Sequence, residues 1–110
     1  MQEVVQAISE PRRREILNLV RERELAAGEI ASHFDVTRPA ISQHLTVLKN
    51  AGLVSERRDG TRRLYSARPE GLAELRAFLE GFWEEGMGRL KREAEKEERR
   101  KRRGRYADRN

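Results

Sequence analysis

Between two stretches of helical periodicity, residues 25–34 and 38–50, only Asp35-Val36-Thr37 is left to turn the chain. Three residues allow a tight turn and nothing more, so two short helices must follow one another at a steep angle, the helix-turn-helix outline. In the first, Leu25, Ile30 and Phe34 form the side to be buried. In the second, Thr37 stands at the N-cap and Pro39 in the first turn, where its missing N–H costs nothing.

At 100° per residue, Ile41, Leu45 and Leu48 of the second helix fall within about 60° of one another and face a core. Pro39, Gln43, Thr46 and Asn50 lie on the far side, with Ser42 on one shoulder and Ala40 and Val47 on the other. No Asp or Glu occurs between Arg38 and Asn50. An ordinary solvated face would mix in acids. A helix entering the major groove excludes them, because phosphates line it, and uses small residues and Ser, Thr or Gln for close approach to base edges.

The remaining segments frame this pair. Residues 2–8 predict a short helix with Val4, Val5 and Ile8 as its stripe. Pro11 opens a second helix to about Glu22, with Ile16, Leu17, Leu19 and Val20 inside. Arg12, Arg13 and Arg14 at its start oppose the helix dipole at a small cost; they read either as a solvated turn or as including at least one phosphate contact, with Arg12 as the candidate. Gly52 closes the fourth helix. Leu53–Arg57 and Arg62–Ala67 read as strands of a hairpin around Asp59-Gly60. With those two residues central, Arg57 faces Arg62 and Glu56 faces Arg63. The like-charged pair would need compensation at the tip, which a phosphate backbone supplies; the alternative is a charged edge that prevents sheet-to-sheet association. From Pro69 a fifth helix carries Leu72, Leu75, Phe78, Leu79, Phe82, Trp83, Met87 and Leu90, a stripe expected to serve in part the chain's own core and in part a surface covered by a second copy.

Charge supports this layout by its position. Residues 1–90 hold 14 Lys and Arg against 14 Asp and Glu, and residues 91–110 hold 10 against 5, so the tail carries the whole net charge of +5. Yet residues 36–68 hold seven basic residues and two acids, a positive region between acidic neighbours. The expected organisation is one domain over residues 1–90 and a charged, disordered basic tail over residues 91–110. Lys91–Arg103 could extend the last helix through charge pairs.

Several segments resemble the ArsR/SmtB family of bacterial repressors: Ser9-Glu10-Pro11-Arg12-Arg13-Arg14-Glu15-Ile16-Leu17, Gly28-Glu29-Ile30-Ala31, Arg38-Pro39-Ala40-Ile41-Ser42-Gln43-His44-Leu45-Thr46-Val47-Leu48, Ala51-Gly52-Leu53-Val54 and Arg62-Arg63-Leu64-Tyr65. The resemblance covers about residues 2–83. It implies a mainly α fold with a small β-hairpin, a winged helix-turn-helix in which helices 1 and 5 form a dimer interface. It implies a homodimeric repressor of transcription whose partner is double-stranded DNA. Its reading positions would be Thr37, Arg38, Pro39, Ala40, Ser42, Gln43, His44 and Thr46. The wing and backbone contacts would be Arg57, Arg58, Arg62, Arg63 and Arg12. The dimer interface would include Val4, Val5, Ile8, Leu75, Phe78, Leu79, Phe82 and Trp83. His44 also flanks the core stripe, as a hydrogen-bonded boundary histidine would.

Metal-sensing members carry cysteines in the helix matching residues 27–34, or Asp and His on the last helix. This chain has no cysteine and two histidines, and residues 69–90 contain none. That donor set cannot build a tetrahedral nitrogen and sulfur site, so no metal and no cofactor are expected. The family branch without a metal-sensing cysteine site is the one implied. No apolar run approaches the ~18 residues that span a bilayer, and the N-terminus lacks a signal-peptide apolar region, so a cytoplasmic protein is expected. An enzyme is not: the sequence shows no paired carboxylates in a pocket-forming context, no nucleophile–base arrangement and no phosphate-cradling glycine loop. The competing reading is a winged helix that binds protein through its last helix and basic tail.

Overall fold

Caps set most helix boundaries. The structure, a computed structural model, describes the backbone of residues 1–108 and the side chains of residues 1–103. α1 (Gln2–Ser9) ends at Glu10, whose carboxylate accepts from the Arg13 N–H at 3.1 Å and so caps α2 (Pro11–Glu22). α4 (Arg38–Asn50) starts at Thr37, whose hydroxyl oxygen accepts from the Ala40 N–H at 3.3 Å. It ends in a Schellman arrangement: Gly52 N donates to Lys49 O and Leu53 N to Leu48 O, both at 2.9 Å, with Gly52 at φ +78°.

The third helix is shorter than its periodicity predicts. Leu25 and Ala26 form a strand, β1 (Leu25–Ala26), and only Ala27–Ala31 is helical, as α3. β1 pairs antiparallel with a later strand, Leu25 opposite Tyr65 and Ala26 opposite Leu64. The Ser32 hydroxyl and His33 Nδ1 lie 2.6 and 2.9 Å from the Glu29 carbonyl oxygen. Such local side-chain bonds compete with helix continuation. The chain leaves α3 through turns closed by His33 N to Ile30 O and Phe34 N to Ala31 O.

The hairpin register also differs from the expected one. β2 (Val54–Asp59) and β3 (Arg62–Ala67) place Asp59 opposite Arg62, Arg58 opposite Arg63 and Glu56 opposite Tyr65. The central turn residues are therefore Gly60 and Thr61. Gly60 alone has positive φ, +65°, which fits a II′ turn and not the I′ turn that Asp-Gly suggests. Opposite charges now meet at the tip, and Arg57 faces Leu64 instead of Arg62. The sheet order is β1-β3-β2.

By internal contacts the chain divides into Met1–Leu75 and the segment from Arg76 onward. The first unit holds the core. Ile16, Val20, Ile30, Ile41, Leu45, Leu48, Leu53 and Val54 are fully buried, with Ala7 and Leu25 beside them. Each large side chain contributes about 1.5–3 kcal/mol by leaving water. Ile41, Leu45 and Leu48 are the side of α4 that the periodicity assigned to the core.

α5 (Ala73–Asp108) follows a 3-10 turn at Pro69–Leu72. Its helix runs through residues 91–108, the greater part of the tail expected to be disordered; residues 109 and 110 lie outside the described residues. Arg100–Glu97 at 2.7 Å and Arg102–Glu98 at 2.9 Å pair along this stretch, as the charge pattern allowed. Gly81, Gly86 and Gly88 lie inside the helix. Phe78, Leu79, Phe82, Trp83, Met87 and Leu90 are exposed, Phe82 at 71% and Trp83 at 68%. Among the described residues, no helix is long and apolar enough to cross a membrane.

Candidate nucleic-acid interface

α4 is fixed from below, so its other side has a defined orientation. With Ile41, Leu45 and Leu48 in the core, Arg38, Pro39, Ser42, Gln43, Thr46, Lys49 and Asn50 are exposed, and Ala40 and His44 are half-buried. The Thr46 hydroxyl donates to the Ser42 carbonyl at 3.0 Å, and its oxygen can still accept a bond. Thr37 is held by its capping bond.

Beside α4 an open groove of about 830 Å³ runs between this helix and the hairpin. Arg38, Ser42, Thr46 and Lys49 line one wall, and Thr61, Arg62 and Arg63 another. The structure thus brings expected reading and wing residues to one groove. Lys49 joins them, a residue the outward-face pattern overlooked because the last turn of a helix is a routine place for lysine.

Carboxylates organise the cations around the groove. Glu56, only 17% exposed at its side chain, lies 3.2 Å from Lys49 Nζ and 3.7 Å from Arg63 Nε, tying the end of α4 to the wing. The Lys49 hydrogen bond first, then the charges of Lys49 and Arg63, hold the Glu56 carboxyl below its ordinary range. Burial, and then the nearby Glu56 charge, push the Tyr65 phenol up. Glu24 accepts two bonds from Arg57, at 2.6 and 3.2 Å, which lower the Glu24 pKa and raise that of Arg57. One Glu29 oxygen accepts from the Ala26 N–H at 3.0 Å and from Arg62. Sequence reasoning missed Glu24 and Glu29. Their partners stand 33 positions away and become visible only once β1 pairs with β3. Among the described residues, Arg38 and Arg58 have no carboxylate within ion-pair distance.

The three arginines of α2 have local partners. Arg13 donates from Nε to the Ala7 carbonyl at 2.6 Å and from Nη2 to Gln6 at 3.2 Å, and Arg14 donates to Ile8 at 2.7 Å. They satisfy the last carbonyls of α1, where cations favour the dipole, instead of merely opposing that of α2. Arg13 Nη1 also lies 3.5 Å from His44 Nδ1, which must be the acceptor because a guanidinium cannot accept. Arg12 stacks over Phe34 at 4.8 Å and pairs with Glu15 at 3.3 Å. Of the residues expected at a dimer interface, Val4 is buried in its own core, Ile8 and Leu75 pack partly against that core, and Val5, Phe78, Leu79, Phe82 and Trp83 are exposed. No group of His, Asp or Glu able to hold a metal occurs among the described residues.

Known proteins resemble this chain in sequence and fold. Residues 10–56 match the family described as "Bacterial regulatory protein, arsR family". The chain is 50% identical over 78 residues to the HTH-type transcriptional regulator Rv2034 of Mycobacterium tuberculosis, covering 71% of this chain and 73% of that protein. It is 38% identical to the transcriptional repressor SdpR of Bacillus subtilis, covering 78% of this chain and 96% of the repressor. The solution structure of the homodimeric winged helix-turn-helix domain of Mb0332 from Mycobacterium bovis, described as a possible ArsR-family transcriptional regulator, superposes with a TM-score of 0.61. It shares 34% identity over 76% of this chain and 78% of that one.

Proposed function

This chain belongs to the ArsR family of bacterial regulatory proteins, and from that premise we propose that it is a homodimeric, sequence-specific DNA-binding repressor acting from the cytoplasm. Each dimer presents two α4 helices to an inverted repeat with half-sites about one helical turn (~34 Å) apart and blocks the promoter by occupying it. The observation that carries the reading is the outward side of α4. Ser42, Gln43 and Thr46 are exposed there, no acid lies on the helix, and the adjoining groove is edged by Arg38, Lys49, Arg62 and Arg63. Ser42, Gln43 and their neighbours discriminate bases; the cations bind phosphates and fix register. Arg12, which pairs with Glu15 and stacks over Phe34, remains in the proposed backbone set, and Arg13 and Arg14 bind carbonyls of α1.

Pairing of two copies is supported by the exposed apolar side of α5, where Phe78, Leu79, Phe82 and Trp83 would otherwise face water. The homodimeric Mb0332 domain supports it from outside the chain. On α1, Val5 is the expected interface residue still available to a second copy. Residues 91–110 are proposed as a basic extension beyond the dimerising part. A mobility-shift titration with the promoter of the protein's own gene, against a shuffled duplex of equal length, tests the function. A retarded complex restricted to the promoter duplex is expected, and equal affinity for both duplexes contradicts sequence-specific reading.

A further inference from the structure

Two of the four wing arginines are already occupied by carboxylates of the segment that enters the helix-turn-helix. Arg57 of β2 is gripped by Glu24 through two hydrogen bonds, and Arg62 of β3 by Glu29. Both carboxylates are solvent-accessible, so neither pair is needed to satisfy a buried charge. Nor does Glu29 need its negative charge to cap α3, because a neutral carbonyl oxygen would accept from Ala26 N–H equally well. What the two negative charges change is the field of the wing. Sequence-independent affinity for DNA comes from counterions released as cations meet phosphates. An arginine that must exchange a carboxylate for a phosphate adds little net charge to that encounter. Base contacts made by the outward side of α4 are untouched by this exchange.

We propose that Glu24 and Glu29 are specificity-determining residues, which withhold Arg57 and Arg62 from indiscriminate phosphate contact and so lower non-specific binding relative to operator binding. The proposal rests on the DNA-reading function proposed above. The wing arginines engage phosphates in place of their carboxylates once base contacts by α4 hold the duplex in register. Arg58, across the strand pair from Arg63, is the wing cation left to make the first encounter.

The test compares the full-length chain with its Glu24→Gln/Glu29→Gln variant on two probes across a salt series. One probe is a random-sequence duplex; the other is a duplex selected by the wild-type protein from a random pool. The variant is expected to bind the random duplex about tenfold more tightly at low salt. Its plot of log affinity against log salt should steepen by about two units, one for each freed arginine. The selected duplex should gain less, and an Arg57→Ala/Arg62→Ala background should abolish the gain. Unchanged or weakened random-duplex binding, an equal gain on both probes, or a gain that survives removal of the arginines would overturn the proposal. Glu24→Gln alone, read the same way with a steepening of about one unit, serves if the double variant does not melt cooperatively. A wild-type protein that binds neither probe overturns the DNA-binding function itself, and this inference with it.

Discussion

Gly71 and Gly52 meet backbone to backbone: a Cβ on Gly71 would overlap the Gly52 carbonyl oxygen and stand 2.9 Å from its carbonyl carbon. Gly52 is the positive-φ residue that ends α4, and Gly71 belongs to the 3-10 turn that leads into α5. The contact fixes where the chain leaves the wing relative to the end of the proposed reading helix. Replacing glycine by alanine at an unstrained site commonly stabilises by about 0.4–1 kcal/mol. Gly71→Ala is expected to do the opposite, costing about 1–3 kcal/mol from overpacking against rigid backbone. Urea denaturation gives the sign directly.

Arg13 serves the carbonyls of Gln6 and Ala7, so its loss should read as a folding defect. Arg13→Ala is expected to lower stability by about 1–3 kcal/mol, because carbonyls lose their donors. Arg13→Lys should recover little, since an ammonium cannot reproduce the forked geometry. Unchanged stability with weakened DNA binding would transfer Arg13 to the phosphate-contacting set.

Acid should loosen the wing. The carboxyls of Glu24, Glu56 and Glu70 are each held below the ordinary range by Arg57, by Lys49 with Arg63, and by its own backbone N–H with Arg68, respectively. A carboxyl whose folded pKa is lowered contributes stability above its unfolded value, about 4.3, and loses it as pH falls through the lowered folded value. Thermal midpoints measured from pH 3 to 7 are therefore expected to be level at the upper end and to drop below about pH 4. Glu56→Gln should shallow that drop.

The exposed stripe of α5 predicts a concentration-dependent assembly. Phe82→Glu, at a residue 71% exposed in the single chain, is expected to leave the core intact and to yield monomers in sedimentation velocity. The single Trp, Trp83, reports the same event, because its emission should shift to the blue on pairing in the parent protein and not in the variant. A variant that remains dimeric would remove this stripe from the interface.

Gln43 tests base reading. Gln43→Ala is expected to relax discrimination at one base position by about 1–3 kcal/mol while sparing affinity for random duplexes. Competition with a panel of singly substituted operators locates that position. Uniform weakening over the whole panel would assign Gln43 to the backbone instead.

How far the sequence went depended on how local each determinant was. α4 was legible from Thr37, Pro39 and the Ile41, Leu45, Leu48 spacing, because cap, first turn and core stripe all lie within one helix. β1 was not, since two residues become a strand only by pairing with Leu64 and Tyr65 some 40 positions on. The hairpin was legible and its register was not. Asp59-Gly60 and Gly60-Thr61 are both credible turns, and cross-strand charge does not separate them: the observed register sets Asp59 against Arg62 but also Arg58 against Arg63, while the other would set Glu56 against Arg63 and Arg57 against Arg62. The local roles of Arg13 and Arg14 were not legible for a related reason: read along their own helix they oppose a dipole, while in the fold they reach back to carbonyls of α1.

The central claim is that the groove between α4 and the wing binds the sugar-phosphate strand of a duplex. The salt dependence of duplex binding by the parent protein and by Arg62→Ala/Arg63→Ala measures this most directly. Linear loss of log affinity with log salt is expected for the parent, and a flatter slope for the variant: by about two units on the selected operator, where both arginines meet phosphates, and by about one unit on random duplexes, where Glu29 withholds Arg62. Identical slopes for the two proteins, or no binding of any duplex by the parent, would contradict it.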